Sequence, residues 1–290
     1  MLSGGSDMAR TRAAWVVLAA ALGCGGGPSP NSPNYAPTTD AGPTGPFDIT
    51  IASSPPIELP GVALWLDADY GVAHEAAQVR AWTDRSGHGH VVERQSVSDP
   101  GPTTDRLAGH GALRFGGHAR LGLSSTIEEQ ARAALTIGAN DFLIALVLQN
   151  EGGAPTFFAL GAPVDGAPPS ATALLSLQPS LQLALGAATV TTAATLDGGP
   201  HLVVVVSQGP RLLVRVDGQE AGMRPFGRLA GEKMDGTLIA LPFLAPFVGA
   251  WDLERPGLTG LIGDVVVLAG PGVEGSIAPL EDYLKQKYGL

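Results

Sequence analysis

A chain of 290 residues with 44% hydrophobic content is long and apolar enough to bury one or two cores, which excludes a disordered protein. Forty Gly and 24 Pro against 15% charged residues punctuate it too often for long helices and favour many short strands joined by turns. A net charge of −10, with 17 scattered basic residues, excludes nucleic acid as a partner and leaves neutral or cationic ones.

Residues 1–24 read as an export signal. Arg10 and Arg12 precede an uncharged apolar run from Ala13 to Leu22, long enough for a signal-peptide core and too short to span a bilayer. The only cysteine, Cys24, follows in Ala21-Leu22-Gly23-Cys24, a placement that resembles a bacterial lipobox, with Cys24 as the lipidation site. The usual pattern has Leu three residues before Cys, where this chain has Ala21. Ordinary cleavage after Ala19-Ala20-Ala21, releasing a soluble protein, is the alternative. A lone cysteine excludes an intrachain disulfide. Residues 25–60, rich in Pro, Gly, Ser and Thr without apolar periodicity, read as a disordered linker.

Residues 61–290 read as one all-β domain. Its elements begin with a turn at Asp84-Arg85-Ser86-Gly87, which Asp84 is placed to cap. A short helix is expected from Thr126, with Glu129 completing a capping box. Phe142 to Leu148 and His201 to Val206 are uninterrupted apolar runs of strand length. Thr156 to Leu160, Ala173 to Leu177, Leu181 to Leu185, Phe247 to Ala250 and Gly263 to Leu268 are further short strands. From Arg211 to Val216 the chain alternates, with Leu212, Val214 and Val216 on one face, before a tight Asp217-Gly218 turn. A closing helix is expected from Pro279 to Tyr288, with Leu280, Tyr283 and Leu284 on one face. Glu281 and Asp282 would lie in its first turn, and Lys285 and Lys287 in its last. Strands so arranged suggest a closed sandwich with the helix on its rim.

Several stretches carry a family likeness. Ala63-Leu64-Trp65-Leu66-Asp67-Ala68-Asp69 looks like an opening strand, and Trp82-Thr83-Asp84-Arg85-Ser86-Gly87-His88-Gly89-His90 looks like a Trp-x-Asp-x-Ser-Gly-Asn-Gly-Asn loop with His at both Asn positions. Leu113-Arg114-Phe115-Gly116-Gly117, Gly263-Asp264-Val265-Val266-Val267-Leu268 and the terminal Tyr283-Leu284-Lys285-Gln286-Lys287-Tyr288-Gly289 complete the pattern in order. Together they resemble bacterial laminin-G-like jellyroll domains of the concanavalin A-like lectin/glucanase superfamily. The likeness spans nearly all of residues 61–290 and implies a jellyroll β-sandwich with a short C-terminal helix.

Glucanases of that superfamily carry a Glu-x-Asp-x-x-Glu strand that sets two carboxyls about 5 Å apart across a sugar. This chain has no such run, nor a Gly-x-Ser-x-Gly elbow, a His-Glu-x-x-His helix or a phosphate loop, so no catalytic residue is assigned. Trp251 and Asp252 are candidate ligand-binding residues, as an aromatic ring for stacking on a sugar and a carboxylate for its hydroxyls; Trp251 could equally pack as an insertion. His88 and His90 are a second candidate pair, which His110 or His118 would extend to a metal site; the alternative is polar loop residues. Asp84 and Asp264 are candidate calcium ligands, as the family likeness implies, with turn capping the competing role for Asp84. Trp65, Trp82 and Phe115 read as core. The expected function is a non-catalytic binding module for glycans or glycoproteins. It would be held at the cell envelope by a membrane lipid anchor, or secreted. The alternatives are a structural or adhesion protein of the envelope and a divergent glycoside hydrolase.

Overall fold

Apolar runs fold into strands where both faces of a sheet are covered, and alternating runs where one face is. The computed structural model describes residues 55–94, 98–123, 141–152, 156–160, 173–177, 180–185, 188–208, 211–225, 246–248 and 257–290. In chain order its strands are β1 (Val62–Asp67), β2 (Val72–Glu75), β3 (Gln78–Thr83), β4 (Val91–Glu93), β5 (Thr103–Leu107), β6 (His110–Gly116), β7 (Gly122–Leu123) and β8 (Phe142–Gly152). Then come β9 (Thr156–Leu160), β10 (Ala173–Leu177), β11 (Leu181–Leu185), β12 (Ala188–Thr191), β13 (Pro200–Gln208), β14 (Arg211–Val216), β15 (Gln219–Pro225), β16 (Pro246–Val248) and β17 (Thr259–Ala269). Among the described residues one α-helix, α1 (Ile277–Tyr288), follows the strands. The bounds of β9, β10 and β11 are those expected from the sequence. The Thr126 helix and the N-terminal segments lie outside the described residues.

The strands form three antiparallel sheets: a large one in the order β15-β14-β13-β8-β17-β6-β5, and two smaller ones, β12-β11-β10-β9-β16 and β2-β3-β4-β7. The last strand lies near the middle of the first sheet. Along one side β17 pairs with β8; along the other it pairs with β6 through 259–262 and with β1 through 264–268. At the junction the Ala68 N–H donates to the Gly263 carbonyl at 3.0 Å. Gly263 is required there, because a Cβ would collide with the Tyr288 phenol. The register shift between Ile262 and Asp264 resets the alternation. Asp264 therefore faces α1, as Val266 and Leu268 do.

The central strands of the large sheet are buried on both faces. Ile144, Leu146, Val203, Val205, Val214 and Val267 pack inward with Trp82, Val79 and Val92 of the β2-β3-β4-β7 sheet and Leu181, Leu183 and Val190 of the β9 to β12 sheet. Leu143, Ala145, Val147, Val204 and Val266 pack outward with Trp65 and with Leu280, Tyr283, Leu284 and Tyr288 of α1. This double burial explains the unbroken apolar runs in β8 and β13. The protein is thus an all-β sandwich with one short C-terminal helix. The β14–β15 hairpin turns through Asp217 (φ 54°) and Gly218 (φ 82°), as the Asp-Gly pair predicts.

α1 begins at Ile277, two residues before the expected start. Pro279 fits in its first turn, where backbone N–H groups have no intrahelical acceptor. Glu281 and Asp282 consequently fall outside the first turn, correcting that expectation. Asp282 is exposed, while Glu281 is buried and accepts from Arg215 Nε (2.7 Å) and a terminal guanidinium nitrogen (3.1 Å). Among the described residues no helix is long and apolar enough to cross a membrane.

Candidate functional site

β1 ends in a carboxylate. Asp67 is buried, and the chain turns behind it, with the Asp69 N–H donating to Asp67 Oδ1 (2.9 Å) and the Tyr70 N–H to the Asp67 carbonyl (2.9 Å). A buried charge needs a partner, and Asp67 has two: Arg85 donates to Oδ2 (2.6 Å) and Lys287 Nζ to Oδ1 (2.8 Å). The same Nζ donates to Asp264 Oδ2 at 2.7 Å and lies 3.3 Å from Asp69 Oδ2. Asp264 also accepts from the Trp65 indole N–H on Oδ1 (2.9 Å) and from the Tyr288 hydroxyl on Oδ2 (2.7 Å). Asp69 in turn accepts from the Gly111 N–H (2.6 Å) and faces His110 Nδ1 at 3.1 Å. Three carboxylates therefore gather round one ammonium.

Electrostatics follow from this enclosure. Burial pushes the Asp264 carboxyl above its ordinary value, with Lys287 opposing. Burial alone would lower Lys287, but the Asp264 and Asp67 carboxylates overcome it and raise the ammonium. Burial lifts Tyr288 well above its usual range and Tyr283 to about 12. Asp69 stays below its usual value against the effect of burial, held by the Gly111 N–H and Lys287.

Above the cluster lies an aromatic step. The Arg85 guanidinium sits 4.1 Å from the buried Trp65 ring and 3.9 Å from the ring of Tyr70. Tyr70 is 56% exposed, one of three large hydrophobic side chains presented to solvent among the described residues. Cation–π contact holds a ring that is otherwise open. Such a fixed aromatic surface, beside a partly exposed guanidinium and the His110–Asp69 pair, can stack on an apolar sugar face and bond its hydroxyls.

The loop after β3 holds the other expected residues. Asp84 caps it: Oδ1 accepts from the N–H groups of Trp65 and Ser86 (2.8 Å each), and Oδ2 from the Ser86 hydroxyl (2.5 Å). His88 is exposed, with Nε2 3.1 Å from the Val62 carbonyl. His90 is wholly buried, and neither ring nitrogen makes a well-formed hydrogen bond. Burial lowers its pKa, with the Asp84 charge opposing and the His88 charge adding to it. The two rings are 5.9 Å apart, but only His88 reaches the surface. Asp84 and Asp264 do not share a centre, the first being engaged by its own turn and the second by Lys287. Among the described residues no group of three or more His, Cys, Asp or Glu is arranged to hold a metal ion. Cys24, Trp251 and Asp252 lie outside the described residues.

Lys287 lies in the last turn of α1, as expected, but it is buried; sequence reading gave it no partner and passed over Tyr70, Arg85, Asp67 and Asp69 as a group. One signal was present: Asp67 and Asp264 each stand in an apolar strand, which demands a buried partner.

No protein-family model matches the chain, and no curated protein matches it. Solved structures do share its fold. Domain 4 of a GH43 extracellular arabinanase from Geobacillus stearothermophilus, solved in complex with arabinotriose, is similar over 72% of this chain and 93% of that one, with 13% identity and a TM-score of 0.50. Trypanosoma rangeli sialidase in complex with sialic acid is similar over 78% of this chain at 16% identity and a TM-score of 0.51, and a GH54 α-L-arabinofuranosidase over 72% at 11% and 0.51. The matches span 33% of the sialidase and 51% of the arabinofuranosidase. At these identities the likeness is one of fold alone.

Proposed function

We propose that the protein is a laminin-G-like carbohydrate-binding module, without catalysis of its own, displayed at the cell envelope by a lipid on Cys24. The observation that carries the binding role is the exposed Tyr70 ring, stacked on Arg85 over buried Trp65, at the surface of a sandwich that resembles a domain solved with arabinotriose bound. Stacking supplies sequence-tolerant affinity for a pyranose or furanose face, and nearby polar groups supply orientation. The absence of catalysis rests on the carboxylates. Glycoside hydrolysis needs two carboxyls reaching the scissile bond, one of them free to give a proton. Asp67 and Asp264 are buried and bound to Lys287, which leaves neither free to act as acid or nucleophile on a sugar.

Titration calorimetry with arabinotriose and a panel of neutral oligosaccharides tests the site. Tyr70→Ala is expected to abolish binding while leaving the melting temperature unchanged. Binding that survives Tyr70→Ala but is lost in Trp251→Ala would move the site to the 251–252 segment. Absence of binding to every sugar, with a pull-down of a protein partner, would favour the adhesion role. Release of reducing sugar would overturn the non-catalytic reading. The tether is tested by detergent partitioning and intact mass of Cys24→Ala beside the native chain, with a diacylglycerol increment expected only in the latter.

A further inference from the structure

We infer that Lys287 and Asp264 become joined by an amide bond between Nζ and Cγ, a covalent clasp between the terminal helix and the central strand of the large sheet. The geometry assembles the parts of an acyl transfer. Nζ is 2.7 Å from Asp264 Oδ2 and 2.8 Å from Asp67 Oδ1, with side-chain exposures of 3%, 0% and 1% for Lys287, Asp264 and Asp67. Such contact corresponds to a high effective concentration of amine at the carboxyl. Neutral donors polarise both Asp264 oxygens, the Trp65 indole on Oδ1 and the Tyr288 hydroxyl on Oδ2, as donors do at an oxyanion site. Asp67 differs in that its second oxygen accepts from Arg85, which leaves Oδ1 facing Nζ as the proton acceptor. Asp264 is therefore the electrophile and Asp67 the base. Val266, Leu268, Leu284 and Tyr283 belong to the same buried outer layer as Trp65 and Tyr288, which donate to Asp264.

The resting state is the ion pair. Lys287 passes one proton to Asp264, giving an amine and a carboxylic acid, a step that burial favours by raising the Asp264 carboxyl. The nitrogen lone pair attacks Cγ. Asp67 takes a second proton from nitrogen and delivers it to the departing hydroxyl, so that one water leaves and one N–H remains on the amide. No oxidant or co-reactant is consumed. Both carboxylates hold the ammonium charged, so the amine is a minor form and the bond accumulates slowly after folding. The product replaces two buried charges by a neutral amide, which removes their desolvation cost.

The test is mass spectrometry of the full-length protein after a week at neutral pH. A proteolytic digest is expected to contain a branched peptide joining Lys287 to Asp264, and the intact chain to be one water lighter than the mass calculated for its own N-terminus and modification. Lys287→Arg, which retains the charge, should retain that water. In Asp67→Asn the branched peptide should accumulate roughly 100-fold more slowly. A native digest with Lys287 and Asp264 in separate linear peptides overturns the proposal and needs no variant to fold. A water lost as a cyclic imide at Asp197-Gly198 or Asp217-Gly218 overturns it equally, as does a link to Asp67.

Discussion

The inner face of the large sheet closes on the smaller sheets through side chains such as Leu146, Val205 and Val267, whereas the outer face sets Asp67, Asp264 and Lys287 among Trp65, Leu284 and Tyr288. Burial of apolar area has no direction, and a sheet held by it alone accepts side chains of similar volume. Charges and hydrogen bonds are directional. On the outer face Lys287 must meet Asp67 and Asp264 at once, and Tyr288 must meet Asp264, which leaves α1 one seat on the sheet. The inner face supplies bulk stability; the outer face selects the arrangement of the last helix.

The largest expected effect comes from breaking the outer network. In freshly purified protein Lys287→Ala leaves the buried Asp264 carboxylate without a cation, Asp67 keeping Arg85, and should cost about 3–5 kcal/mol in urea unfolding; a loss below about 1 kcal/mol would mean that water reaches it. The inner face should behave differently under a gentle change. Leu146→Met should cost less than about 1.5 kcal/mol, whereas Lys287→Arg, equally conservative on paper, should cost more than that because a planar guanidinium cannot take the ammonium's place. Equal losses in the two variants would erase the distinction.

A smaller effect is expected where a polar group lies unsatisfied beside the inner layer. His90 is held below its ordinary value of 6.5, so the unfolded chain binds the proton more readily. Its contribution is intact above pH 6.5 and is lost as pH falls through the lower folded value. Melting temperature should decline over that window in the native protein, and the decline should be shallower in His90→Phe; identical profiles would remove His90 from the account. The smallest effect on stability, within about 0.5 kcal/mol, is expected for Tyr70→Ala, whose ring is exposed and whose loss should register in sugar binding alone.

What could be read from the sequence follows the same division. β8, β13 and β17 were legible because burial on both sides leaves unbroken apolar runs. The edge strands β2, β5 and β15 were not, since their exposed residues carry little pattern. At the site, the Asp84 turn was legible because its partner Ser86 is two residues away. Lys287 was not, because its partner Asp67 is 220 residues distant and nothing local distinguishes it from Lys285. Tyr70 gave no periodic signal at all, because its role depends on a guanidinium brought from another loop.

The position of β17 bears on the order in which the chain acquires its shape. Among the described strands it comes last in the chain, yet β1, β6 and β8 meet through it. Contacts between segments so far apart in sequence form late, after the entropy of closing long loops has been met. A chain emerging from its N-terminus thus presents three strands that lack their common neighbour. Any channel that retains residues 259–269 also retains the keystone of the sheet, and so holds these three strands unjoined until release.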